Sequence, residues 1–154
     1  MAYRIEGLAP ERFASLFGMA DDALAEHNAV RVTADTPSHF PCRISLEDAA
    51  PGEQVILLNH VSHDVAGPFR TAFAIYVREG VEAASFTDRA PPMLDGRTIG
   101  LRGFDGEGML RGALLAMPGE ADAKIRALLA QPEIATIHAH NAAHGCFLAR
   151  IERN

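Results

Sequence analysis

Apolar and polar residues alternate with a period of two along much of the chain, which is typical of β-strands. Residues 69–78 follow this alternation, and residues 54–61 form an apolar, β-branched run of strand length. Residues 97–104 and 108–117 also predict two strands, and they are separated by Asp105-Gly106, a strong hairpin dipeptide. Strands joined by such short turns predict a mainly antiparallel sheet.

Helical spacing is limited to a few segments. Residues 120–130 carry an apolar stripe and are followed by Pro132, which predicts one well-formed helix. Pro10 and the apolar residues after it predict a helix near the N-terminus, and residues 21–27 predict a second short one. We therefore expect a single α+β domain over residues 1–154, with a mainly antiparallel sheet of about six strands and helices on one face.

Charge and composition narrow the classes of partner. The 154 residues include 20 acidic and 14 basic side chains, for a net charge of −6, and no basic run occurs. We expect no nucleic-acid partner, because such partners require concentrated positive charge. No stretch approaches the roughly 18 apolar residues that span a bilayer, and no signal peptide is evident, so we expect no membrane partner and a cytoplasmic location. In that compartment Cys42 and Cys146 should be free thiols.

The last twenty residues predict a hairpin with chemically distinctive residues. If residues 134–151 fold back at a loop over 141–145, His140 lies opposite Cys146 and Thr136 lies opposite Arg150. One face then carries Thr136, His138, His140, Cys146 and Arg150. The other face carries Ala135, Ile137, Ala139, Phe147, Ala149 and Ile151, and we expect this apolar face to be buried.

The polar face of this predicted hairpin has three interpretations. Imidazole and thiol groups are zinc ligands, but the spacing of His138, His140 and Cys146 is not diagnostic, so no metal or other cofactor is predicted. A cysteine beside a histidine is also a nucleophile or ligand contact in many pockets. In the third interpretation the polar residues of this face are surface positions, and Cys146 acts as a small hydrophobic residue. The separate His60-x-x-His63 spacing matches no common zinc motif and is interpreted as a polar loop after a strand.

Four segments together resemble a family of short bacterial proteins. They are Pro41-Cys42-Arg43, residues 52–58, residues 101–105 and residues 137–146. Their combination is similar to the bacterial domain-of-unknown-function family 1203, and the similarity extends from about Arg4 to Arg153. The family pattern has Arg rather than His at position 140, which weakens a two-histidine metal site. The resemblance implies no activity.

These observations support two classes of function. The first is a small-molecule-binding or enzymatic pocket, whose candidate ligand-binding residues are Cys42, Arg43, His138, His140, Asn141 and Cys146. In this class an anionic ligand on Arg43 is an option, and Cys42 or Arg43 should lie within about 8 Å of His138 or Cys146, close enough to share a ligand or a bridging water. The second class is a non-enzymatic protein-interaction or homo-oligomerising domain.

Overall fold

A computed structural model describes residues 2–154. The strands are β1 (Tyr3–Glu6), β2 (Val30–Thr33), β3 (Gln54–His63), β4 (Thr71–Val77), β5 (Ser85–Thr87), β6 (Ile99–Phe104), β7 (Leu110–Ala116), β8 (Thr136–Asn141) and β9 (Phe147–Arg153). The α-helices are α1 (Asp21–Glu26), α2 (Pro92–Asp95) and α3 (Ala121–Leu129), and a 3-10 helix covers Pro10–Phe13. None of the helices in this part of the chain is both long enough and apolar enough to cross a membrane.

The strands form two antiparallel sheets. One has six strands in the order β5-β1-β9-β8-β6-β7, and the other has three in the order β2-β3-β4. The predicted α+β class and six-stranded antiparallel sheet are confirmed. The second sheet was not predicted, because alternation along a strand identifies its faces and not its partner strands.

Helix α3 covers one face of the six-stranded sheet, where it packs on β6 and β7. Its predicted apolar stripe is confirmed, since Ala121, Ile125, Leu128 and Leu129 are all buried. They join Ile137, Ala139, Ala149 and Ile151 from the terminal hairpin in the largest apolar cluster. The N-terminal helix is shorter than predicted, because three apolar residues within about one turn do not stabilise a longer helix.

Strands β3 and β4 cover the opposite face of the six-stranded sheet. His63 of β3 meets His138 with ring centroids 5.0 Å apart, and Phe73 of β4 meets His140 at the same separation. The prediction that His60 and His63 belong to a polar loop is wrong, because β3 continues through both of them and buries His63. Both faces of the terminal hairpin are therefore covered.

The register of the terminal hairpin differs from the prediction. Thr136 lies opposite Glu152, rather than Arg150, and His140 lies opposite Phe147, rather than Cys146. A bulge between Ala139 and His140 adds one residue to β9 and reverses the alternation of faces beyond it. Phe147 is buried as predicted, but it contacts the rings of the two histidines instead of the apolar face.

Candidate functional site

The loop before β3 delivers Arg43 into the interior. Residues 35–41 approach β4, and the Arg43 backbone N–H donates to the Tyr76 carbonyl oxygen at 3.0 Å. Cys42 forms an isolated parallel bridge with the same residue. This pairing fixes the direction of the short segment, and the Arg43 side chain ends only 1% exposed.

The Arg43 guanidinium is held by three acceptors. Its Nε donates to the Phe147 carbonyl oxygen at 2.8 Å, and its Nη1 donates to the Pro41 carbonyl oxygen at 2.6 Å. Its Nη2 donates to Cys146 Sγ at 3.2 Å. The structure thus brings Arg43 and Cys146 together well inside the 8 Å that a shared ligand requires.

The charge of Arg43 has no carboxylate counterpart within residues 2–154. Ion pairs in this part of the chain join other arginines to Asp or Glu, and none includes Arg43. Burial lowers the pKa of Arg43 from its ordinary value, and the neighbouring Cys146 opposes this change. Burial of a guanidinium without an anionic partner lowers the stability of a folded chain. The position of Arg43 beside a cavity therefore bears on function.

A cavity of about 530 Å³ opens beside this guanidinium. Its apolar wall is formed by Phe40, Pro41, Leu57, Phe73, Ala74 and Tyr76. Its polar lining comprises Asp35, Thr36, Ser38, His39, Arg43, Arg97, Asn141, His144 and Cys146. Of the six residues predicted as ligand-binding candidates, the cavity therefore includes Arg43, Asn141 and Cys146.

Asn141 and Arg97 shape the rim of the cavity. The Asn141 side-chain oxygen accepts the backbone N–H groups of Ala143 and His144, each at 2.9 Å, and so orders the turn that precedes Cys146. Arg97 pairs with Asp48 and donates to the Ser38 carbonyl oxygen at 2.8 Å, which ties the rim segment to the six-stranded sheet. Both residues organise the loops around Arg43.

His138 and His140 do not line the cavity. They lie between the sheets in a ring cluster that consists of His63, Phe73, Phe104, His138, His140 and Phe147. His140 Nδ1 donates to the Gly145 carbonyl oxygen at 2.9 Å, whereas His138 Nδ1 has no hydrogen-bond partner among residues 2–154. Desolvation lowers the pKa of His138 to about 3 and that of His140 to about 4. Both imidazoles are therefore neutral at pH 7.

Cys42 also lies outside the cavity lining. It is buried in an apolar cluster with Ile44, Ile75 and other residues. Successive residues of an extended segment point to opposite sides, so the segment that directs Arg43 towards the cavity directs Cys42 away from it. Both cysteines are free thiols, as predicted.

The geometry gives no support to a zinc site at His138, His140 and Cys146. Within residues 2–154, no group of three or more His, Cys, Asp or Glu side chains is arranged to hold a metal ion. The His138 and His140 rings are 6.4 Å apart, and each is packed against phenylalanine rings. The histidines are packing residues of the sheet interface in this arrangement.

Sequence reasoning missed most of the cavity wall. Phe73 and Tyr76 belong to the predicted strand over residues 69–78, but nothing in its alternation indicated that it would pack across the terminal hairpin. Thr36 and His39 lie in residues 35–41, a segment with two prolines that predicts a loop leading to Cys42 and Arg43. The proline-containing loop that leads to Arg43 was the one local signal that this region approaches the site.

The fold and the site together define an α+β protein with a cavity walled by a buried arginine and a cysteine. The family described as "Protein of unknown function (DUF1203)" matches residues 39–153, and the chain belongs to this family. The match starts at residue 39, whereas the predicted similarity began near Arg4, and it includes both Arg43 and Cys146. No curated protein and no solved structure matches the chain.

Proposed function

We propose that this protein binds a small anionic molecule in the cavity, with the anionic group on Arg43. The observation that carries the proposal is the position of the Arg43 guanidinium, which is buried on the cavity wall with no carboxylate partner in residues 2–154. A carboxylate or phosphate group supplies the missing negative charge and the matching geometry.

Arg43 retains hydrogen-bonding capacity for such a ligand. A guanidinium has five N–H donors, and the contacts to Phe147, Pro41 and Cys146 use three of them. The three contacts also fix the orientation of the group, so little side-chain entropy is lost when a ligand binds. A preorganised cation with free donors favours tight binding of an anion.

The remaining walls indicate the rest of the ligand. A volume of about 530 Å³ falls in the range of small-molecule sites, which runs from about 300 to about 1,000 Å³. Phe73, Tyr76 and Leu57 offer an apolar surface opposite the polar groups. We therefore expect a ligand with a compact apolar or aromatic body and one anionic group.

Benzoate and benzamide provide a matched pair of probes, since they share size and shape and differ in charge. Titration of the folded protein, followed by NMR at the Arg43 Nε–Hε group, should show benzoate binding at least about tenfold tighter than benzamide, or about 1.4 kcal/mol. Equal binding of the two compounds, or shifts confined to residues outside the cavity, would contradict the proposal. Arg111→Gln, which changes an exposed arginine outside the cavity lining, is the control variant and should bind benzoate as the wild type does.

A homo-oligomerising role is the second candidate, and one observation favours it. Strand β7 is an edge of the six-stranded sheet, and Leu115 and Met117 at its end are 57% and 49% exposed. An unpaired apolar edge is suited to antiparallel pairing with a second copy. Sedimentation of the wild type and of Leu115→Lys tests this candidate: it predicts a dimer that the variant weakens, and a monomeric wild type at about 0.1 mM excludes it.

A further inference from the structure

We propose that Cys146 is a nucleophile towards small electrophiles that carry an anionic group, and that Arg43 holds this group beside the sulfur. The inference rests on the proposed function, because it requires the anion to bind at Arg43. It adds a covalent activity and a substrate class to the same cavity.

The geometry places the sulfur and the anion site together. Cys146 Sγ lies on the cavity wall and accepts a hydrogen bond from Arg43 Nη2 at 3.2 Å. The carbonyl oxygens of Phe147 and Pro41 hold the other two nitrogens of the same rigid, planar group. An anion on the free N–H groups is therefore adjacent to the sulfur, and a reactive carbon next to that anion is brought within reach of it.

Cys42 provides an internal contrast. Its side chain is 1% exposed, lies in an apolar cluster and does not line the cavity. Cys146 is partly exposed and faces the cavity. The two thiols of one folded chain should thus differ in reactivity and in their preference for charged reagents.

Iodoacetate is the simplest electrophile of the proposed class. The Cys146 sulfur attacks its methylene carbon, a C–S bond forms, and the C–I bond breaks. Iodide leaves with the bonding electron pair, and the thiol proton passes to the buffer. Iodoacetamide undergoes the same reaction without a negative charge, so the ratio of the two rates isolates the contribution of the anion site.

The test measures this rate ratio for Cys146 in the native chain and in the urea-unfolded chain, with peptide mass spectrometry to separate the two cysteines. We expect the iodoacetate-to-iodoacetamide ratio at native Cys146 to exceed the unfolded ratio by about tenfold. Inorganic phosphate should slow the iodoacetate reaction more than sodium chloride of equal ionic strength does. Cys42→Ala should retain the high ratio.

Arg43→Lys is the second variant, since it keeps the positive charge and loses the planar fork. We expect its ratio to fall towards the unfolded value. A native ratio equal to the unfolded one, or a Cys146 that reacts with neither reagent, would overturn the inference. If benzoate still binds in that case, the proposed function stands and only the nucleophile is wrong; if benzoate also fails to bind, the anion site itself is wrong.

Discussion

The two deeply buried histidines predict a marked loss of stability in mild acid. Burial lowers the pKa of His138 from an ordinary 6.5 to about 3, with smaller contributions from His63 and His140. Burial likewise lowers the pKa of His140 to about 4, although its hydrogen bond to the Gly145 carbonyl oxygen opposes the change. The unfolded chain therefore binds protons below about pH 6.5 that the native chain does not bind until about pH 3 to 4.

The sign and size of the effect follow from proton linkage. The free energy of unfolding rises with pH wherever the unfolded state binds more protons. Each histidine therefore leaves this free energy at its full value well above pH 6.5 and lowers it as the pH falls below 6.5. Between pH 8 and pH 5 the loss is about 2 kcal/mol for each histidine, or about 4 kcal/mol for both. This is a large part of the 5 to 15 kcal/mol that is typical of a native protein.

Urea unfolding at a series of pH values measures this loss directly. With a denaturant slope of about 2 kcal/mol/M, the unfolding midpoint should fall by about 2 M from pH 8 to pH 5. Asp105 and Asp122 have pKa values lowered by their hydrogen bonds, so they remain ionised at pH 5 and do not contribute in this window.

The variant His138→Gln should reduce the dependence on pH by about 2 kcal/mol, because one of the two most strongly shifted imidazoles is gone. Burial also lowers the pKa of His60, so that imidazole adds to the loss in the wild type and in the variant alike. His27 is exposed, so His27→Gln is the matched control and should leave the dependence unchanged. A wild type that loses less than about 1 kcal/mol over this range, or a His138→Gln variant with the full wild-type dependence, would refute the burial of these imidazoles in neutral form.

Two further changes probe the backbone and the cavity rim. A Cβ atom on Gly7 would overlap the Ile44 carbonyl oxygen, whereas one on Gly100 would have no neighbour within 4 Å. Gly7→Ala should therefore lower the free energy of unfolding by more than about 3 kcal/mol in urea melts, and a loss as small as that of Gly100→Ala would contradict the close approach. Arg97→Gln breaks a partly buried ion pair and should lower the free energy of unfolding by about 1 to 3 kcal/mol. Arg111→Gln breaks a more exposed pair and should lower it by less. Equal costs would argue against a structural role for Arg97.

In the terminal hairpin, the sequence pattern predicted a buried face but did not predict the bulge. Alternation from Ile137 to Ala139 was enough to identify a buried face, because side chains alternate strictly along a regular strand. The bulge that moves Phe147 to the other face leaves no such signal, since it depends on how two strands pair. One inserted residue was therefore enough to separate the histidines from Cys146.

The candidate site was predicted in part for a similar reason. The proline-containing segment before Cys42 and Arg43 predicted a loop that brings these residues to His138 or Cys146, and the structure brings Arg43 to Cys146. It was not possible to predict which of two adjacent residues would face the cavity, because that depends on the bridge to Tyr76 in a strand more than thirty residues away. The three-stranded sheet that covers His138 was hidden for the same reason, since it is defined by contacts between distant segments.

The position of a bound anion is the most direct test of the proposed anion site at Arg43. A crystal structure of the protein with 4-bromobenzoate would locate the ligand through the anomalous signal of its bromine. We predict that the carboxylate lies about 3 Å from an Arg43 nitrogen, with the ring against Phe73 and Tyr76. Bromine found only outside this cavity, with the Arg43 guanidinium in contact with no ligand, would contradict an anion site at Arg43.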